Sequence, residues 1–183
     1  MNKTEQDGSG TKRLAAIAVL TAVTAVFTYI VRVPIAPTRG YINLGDVAIY
    51  FSAFTFGPLT ALIAGGMGPA IADILAGYSQ WAPITLVVHG LQGFIAGYLF
   101  RVITGGREGV KRRLLPGYVA AGAGGTLCMA GLYLLAGSFM VGFGPALVEV
   151  PGNLIQNAVG LAGGISLTAA VKKAYPPVSR YSW

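Results

Sequence analysis

The chain has 183 residues, of which 54% are hydrophobic and only 10% charged, against about 25% charged in ordinary soluble domains. That balance excludes a soluble globular protein, and the 27 glycines fit helices packed in a bilayer, where glycine is commoner than in soluble helices. The formal net charge of +7 comes from cations at the ends of apolar segments, so it reads as membrane orientation and lipid contact, and nucleic-acid binding is excluded for want of a basic face.

In chain order, residues 1–12 ("MNKTEQDGSGTK") are polar and predict a disordered tail. Arg13 opens a first apolar helix over 13–31. The run is long for a signal peptide and no small-residue cleavage site follows, so the helix is read as retained. "RVPIAPTRGYINLGD" predicts a loop from its two prolines and two glycines. Asp46 can cap a second, shorter helix, "VAIYFSAFTF", which ends at the Gly57-Pro58 turn. A third helix spans about 59–75, with Pro69 predicting a kink or break. The fourth covers about 83–103 and the fifth about 114–136. "GSFMVGFGPALVEVPGN" predicts a long, partly helical loop before a sixth helix over 154–170. The organisation is therefore a tail (1–12), a six-helix membrane domain (13–172) and a second tail (173–183), an all-α polytopic protein.

The cations orient it. Lys3, Lys12 and Arg13 precede the first helix; Arg101, Arg107, Lys111, Arg112 and Arg113 follow the fourth; Lys172, Lys173 and Arg180 follow the sixth. Only Arg32 and Arg39 fall in the opposite class of loop. The positive-inside rule then puts both termini in the cytoplasm, which six spans allow.

With that orientation, nearly every polar side chain in the spans lies in the outer half. Asn43 and Asp46 lie at the start of the second helix, Asp73 at the outer end of the third, and Tyr78 and Trp81 in the next outer loop. His89, the single histidine, is about 12 Å deeper than Trp81 at 1.5 Å per residue. Trp81, Thr85, His89 and Gln92 follow one helical stripe; Glu149, Asn153, Gln156 and Gly160 follow another, with Asn157 beside them. Polar residues in spans face the bundle interior or a cavity. Two such stripes opening outward predict a pocket entered from outside, with interhelical hydrogen bonding as the plainer alternative for each residue taken alone.

Ala15, Ala18, Ala22 and Ala25 form a stripe of small residues on the first helix, suited to close packing either within the chain or against a separate membrane subunit. Gly93-x-x-x-Gly97 and Gly160-x-x-x-Gly164 read as internal packing. There is no phosphate-binding loop, no nucleophile elbow and no histidine–cysteine zinc set, and Cys128 is alone. A pocket without catalytic groups, metal or cofactor predicts a binding subunit rather than an enzyme. The rival expectations are a self-sufficient permease, which requires polar residues through the inner half, and a membrane enzyme, which requires a nucleophile or metal.

Three stretches, "YINLGDVAIYFSAFTFGPLTALIAGGMGPAIADILAGY", "APITLVVHGLQGFIAGYLF" and "EVPGNLIQNAVG", resemble the substrate-binding S components of energy-coupling factor (ECF) vitamin transporters, in the group for riboflavin, hydroxymethylpyrimidine and pyridoxine-type compounds. The resemblance covers about residues 14–172. Members often carry lysine where this chain has His89. The resemblance implies a multi-pass protein of a prokaryotic cell membrane that binds a vitamin from outside, docks on a scaffold membrane subunit with two cytoplasmic ATPases, and topples in the bilayer to release its ligand. It implies that Ala18 and Ala22 contact the scaffold and that residues 34–45 act as a lid. On the residues, aromatic side chains would stack on a flat ring, Asn153, Gln156, His89 and Gln92 would hydrogen-bond its heteroatoms, and Glu149, Asp73 or Asp46 would receive an amine or hydroxyl. So few cations favour a neutral or weakly basic ligand over a phosphorylated one.

Overall fold

A computed structural model describes residues 3–105 and 111–181. Arg107 lies outside the described residues, as do the side chains of Lys3, Lys111, Arg112 and Arg180. The described chain is built from α1 (Lys3–Ile30), a hairpin of β1 (Arg32–Ile35) and β2 (Gly40–Asn43), then α2 (Gly45–Phe56), α3 (Pro58–Leu75), α4 (Ala82–Thr104), α5 (Lys111–Val141) and α6 (Phe143–Ala174). A short 3-10 helix, Pro176–Tyr181, follows. Five helices are long and apolar enough to cross a membrane. The sixth, α2, has 12 residues, about 18 Å at 1.5 Å per residue, and ten of them are buried, so it is the centre of the bundle rather than part of its lipid-facing wall.

Glycines let the helices approach this centre. A Cβ on Gly93 would come within 2.7 Å of the Ala61 carbonyl oxygen, and one on Gly97 within 2.8 Å of Pro58 Cα, which locks α4 to α3. Gly160 packs directly on Asp46, and a Cβ on Gly164 would meet Tyr50 Cβ at 2.6 Å, which locks α6 to α2. Both glycine pairs therefore serve internal packing. On α1, Thr24 and Thr28 are buried and return their hydroxyls to the carbonyls of Leu20 (2.7 Å) and Thr24 (2.8 Å). A Cβ on Gly68 of α3 would touch Thr24 at 2.7 Å, so α1 lies directly against α3.

Several expectations change. The segment 3–12 continues α1 instead of forming a disordered tail, because extending an existing helix adds one hydrogen bond per residue without a new nucleus. The expected loop at 32–43 is an antiparallel hairpin pairing Arg32 with Asn43 and Ile35 with Gly40, so the all-α reading gains one small sheet. Its turn places Arg39 at φ 51°. Pro69 does not break α3, which runs unbroken over Pro58–Leu75; the carbonyl its ring crowds is that of Gly65, where no side chain adds to the clash. The long loop expected before the sixth helix is helical except at Gly142 (φ 93°), since backbone groups in hydrocarbon must be bonded within their own segment. Glu149 accordingly stands on α6 and not in a loop. Asp46 caps nothing: α2 begins at Gly45, whose N–H donates instead to Asn43 Oδ1 (2.7 Å). The C-terminal segment folds back, with Val178 buried.

Candidate functional site

One end of the bundle gathers the hairpin, the C-terminal end of α3 and the N-terminal halves of α4 and α6. There a cavity is lined by Asn43, Asp73, Trp81, Thr85, His89, Glu149, Asn153 and Gln156, together with Thr28, Gly40, Tyr41, Pro69, Met129 and Tyr133. Its volume is about 30 Å³, room for a few waters, so a vitamin-sized ring requires the hairpin to move outward.

The hairpin is held over the cavity by two long-range hydrogen bonds. Tyr41 donates its hydroxyl proton to Asp73 Oδ1 (2.6 Å), and the Asn43 backbone N–H donates to Gln156 Oε1 (2.8 Å). Burial, and then the Asp73 carboxylate, push the Tyr41 hydroxyl well above its ordinary range, so it remains a donor at neutral pH. The Tyr41 ring also packs on Tyr78, with centroids 4.8 Å apart. Gly40 passes so close to α6 that a Cβ would lie 2.7 Å from Glu149 Oε1; only a residue without a side chain fits there undisturbed.

The wall is polar and buried. Thr85 and Tyr133 share a hydrogen bond of 2.9 Å, and the Tyr133 ring stands edge-on to Trp81 (6.1 Å) and His89 (5.6 Å). His89 Nδ1 is 2.6 Å from Gln92 Oε1 and 3.4 Å from Asp46 Oδ1. Gln92 Nε2 donates to Asn157 Oδ1 (2.9 Å), which also accepts from Tyr50 (2.9 Å), and Asn157 Nδ2 donates to the Asn153 carbonyl (3.2 Å). Read along the donors, this chain makes His89 Nδ1 the donor to Gln92 Oε1.

The sequence-derived candidates therefore separate by position. Asn43, Asp73, Trp81, Thr85, His89, Glu149, Asn153 and Gln156 share the cavity wall. Asp46, Gln92 and Asn157 are fully buried and orient His89 and α6 from behind that wall. Tyr78 lies outside, behind Tyr41. Sequence reasoning missed Thr28, Tyr41, Met129 and Tyr133. On α1, Ala15, Ala18 and Ala22 are exposed and Ala25 is half-buried, so that stripe mostly faces away from the rest of the chain.

Residues 9–173 match the family model described as ECF-type riboflavin transporter, S component. The chain belongs to this family. It is accordingly a multi-pass protein of the plasma membrane and the substrate-binding subunit of an ECF transporter, a transport role and not an enzymatic one. Among curated relatives, an uncharacterized protein from the gap 3′ region of Pyrococcus woesei is 37% identical over 153 residues, covering 84% of this chain and 97% of that one. The thiamine precursor transporter HmpT of Lactococcus lactis subsp. cremoris (strain MG1363) is 32% identical over 155 residues, 84% of each chain. Among solved structures, the S component of a bacterial ECF transporter superposes with a TM-score of 0.66 at 22% identity, covering 90% of this chain and 98% of that one; this likeness concerns the fold.

Proposed function

We propose that this cavity captures a small, flat, single-ring heterocyclic vitamin or vitamin precursor from outside the cell, for uptake driven by a scaffold membrane subunit and two cytoplasmic ATPases. The observation that carries the reading is a set of buried polar atoms on the wall without a hydrogen-bond partner: the acceptors Asp73 Oδ2 and Glu149 Oε2, and the donors Asn153 Nδ2 and Gln156 Nε2. Each such group costs about 1–3 kcal/mol, and a ligand carrying matching donors and acceptors satisfies all four at once. Two carboxylates line the cavity, and His89 is the one side chain among the described lining residues that could carry positive charge. That balance suits amino and hydroxyl substituents on a neutral or weakly basic ring, and disfavours a phosphorylated ligand. The likeness to a thiamine precursor transporter favours one ring over a tricyclic flavin. Trp81 and Tyr133 supply faces for stacking.

In this reading α2, extended outward by the hairpin, completes a sixth crossing, so that both termini lie in the cytoplasm, on the side of most cations. The exposed Ala15, Ala18 and Ala22 with Ala25 at their edge form the face that meets the scaffold, where small side chains allow close helix approach.

The test is mass spectrometry of compounds released by denaturing the detergent-purified protein, with calorimetric titration of hydroxymethylpyrimidine, pyridoxine and riboflavin. A single-ring compound bound at near-equal stoichiometry is expected. A protein that carries nothing and binds none of the three overturns the capture reading. Tightest binding of riboflavin overturns the single-ring choice alone.

A further inference from the structure

Next to the cavity lies a larger recess, of about 530 Å³. Trp81 lines both spaces, so its indole is the partition between them. The hairpin reaches both as well. Gly40 lines the cavity and donates its N–H to Thr38 Oγ1 (3.2 Å), and Thr38 lines the recess. Tyr41 lines the cavity and packs on Tyr78, which lines the recess. The wall of the recess also includes Arg39, Gln80 and Met140, all exposed. With the hairpin closed, the cavity is too small for a ring, whereas the recess falls within the range of about 300–1,000 Å³ usual for small-molecule sites.

Arg39 supplies the second observation. Among the described residues it is the one non-glycine residue with a positive φ (51°). That conformation is costly for a residue with a long side chain, and glycine or asparagine would hold the same turn with less strain. Such strain persists where the side chain serves a function. Beside Tyr78 and Trp81, a planar guanidinium offers N–H donors next to aromatic surface, which suits a flat heterocycle bearing ring nitrogens or hydroxyls. We propose that the recess is an encounter site for the same ligand class as the cavity. The ring docks first among Arg39, Tyr78, Gln80 and Trp81, and passes Trp81 when the hairpin moves outward and joins the two spaces. This rests on the capture reading and makes capture a two-step process. Once inside the cavity, the ring no longer touches Arg39.

The test is rapid mixing of the full chain with hydroxymethylpyrimidine, followed by tryptophan fluorescence. The sequence holds two tryptophans, so Trp183→Phe leaves Trp81 as the sole reporter. The observed rate should level off as ligand concentration rises, because entry follows a saturable first complex. Added to that background, Arg39→Asn removes the guanidinium and keeps a residue that tolerates positive φ. It should raise the half-saturating concentration about fivefold, the net contribution of one hydrogen bond. Affinity measured by calorimetry should stay unchanged, because the final complex lacks that contact. Gln80→Ala should shift half-saturation in the same direction. An affinity that falls in step with half-saturation would mean that Arg39 only shapes the hairpin, and overturns the encounter site. A rate that stays linear with concentration, or a half-saturation that Arg39→Asn does not move, overturns it too. No calorimetric binding of hydroxymethylpyrimidine at all defeats this choice of ligand for the cavity, and the encounter site with it.

Discussion

α4 and α1 carry comparable patterns turned in opposite directions. On α4 the stripe Trp81, Thr85, His89, Gln92 is polar or aromatic and no more than 5% exposed. On α1 the stripe Ala15, Ala18, Ala22 is small and exposed, while Leu20, Thr24 and Thr28 on the adjoining face are buried against the bundle. Polar groups in hydrocarbon must find partners inside the fold, whereas alanine has nothing to hide and can wait for a partner from outside. In the proposed reading capture lies on one face and coupling on another, so the two activities should separate by mutation.

The largest effect tests that separation directly. Ala18→Leu combined with Ala22→Leu adds bulk at two exposed positions of α1, so folding and ligand binding should be unchanged. Uptake in cells, in contrast, should be lost. Loss of binding together with uptake would show that the alanines support the cavity, and undiminished uptake would remove them from the coupling face.

Changes on the α4 side should move both activities together. Asp73→Asn keeps the shape but removes a charge from the cavity wall and from the Tyr41 contact. Hydrogen bonds to charged groups contribute about 1.5–3 kcal/mol, so affinity should fall about ten- to a hundredfold, read by calorimetry, with uptake following. Affinity within twofold of the parent would exclude Asp73 from ligand contact.

The same contrast explains how much was legible in the sequence. Helical spacing collected Trp81, Thr85 and His89 on one face of α4 and Glu149, Asn153 and Gln156 on one face of α6, because amphipathic contrast is strong against an apolar background. What spacing supplies is depth along a helix, not distance from the bundle centre. Asp46, Gln92 and Asn157 therefore read like wall residues, though they sit behind the wall. Met129 and Tyr133 were missed because "CMAGLYLL" looks like any lipid-facing run. The hairpin was missed because strands of four residues show too little alternation, and Pro34 argues against a strand unless it lies at an edge. Its position follows from Tyr41 reaching Asp73, 32 residues away, a contact no local pattern encodes.

Tyr41→Phe is the smallest change, and it asks whether that contact is a latch. Phenylalanine keeps the packing on Tyr78 and removes one hydrogen bond, a net loss of about 1 kcal/mol. Ligand release should accelerate about fivefold, with little change in the rate of capture, because the bond forms only once the hairpin has closed. The pH dependence follows from the sign of the shift. The hydroxyl is pushed up in the closed hairpin relative to an open one near the ordinary value of about 10. Closed and open states are then equally protonated at neutral pH, and the latch is fully present there. Above about pH 10 the open state loses its proton first, and the closed state is progressively disfavoured. Release from the parent protein should accelerate in that alkaline range. The phenylalanine variant, with no proton to lose, should show a flat profile there. Identical alkaline profiles would mean that another group governs opening, and would leave Tyr41 as a packing residue of the hairpin.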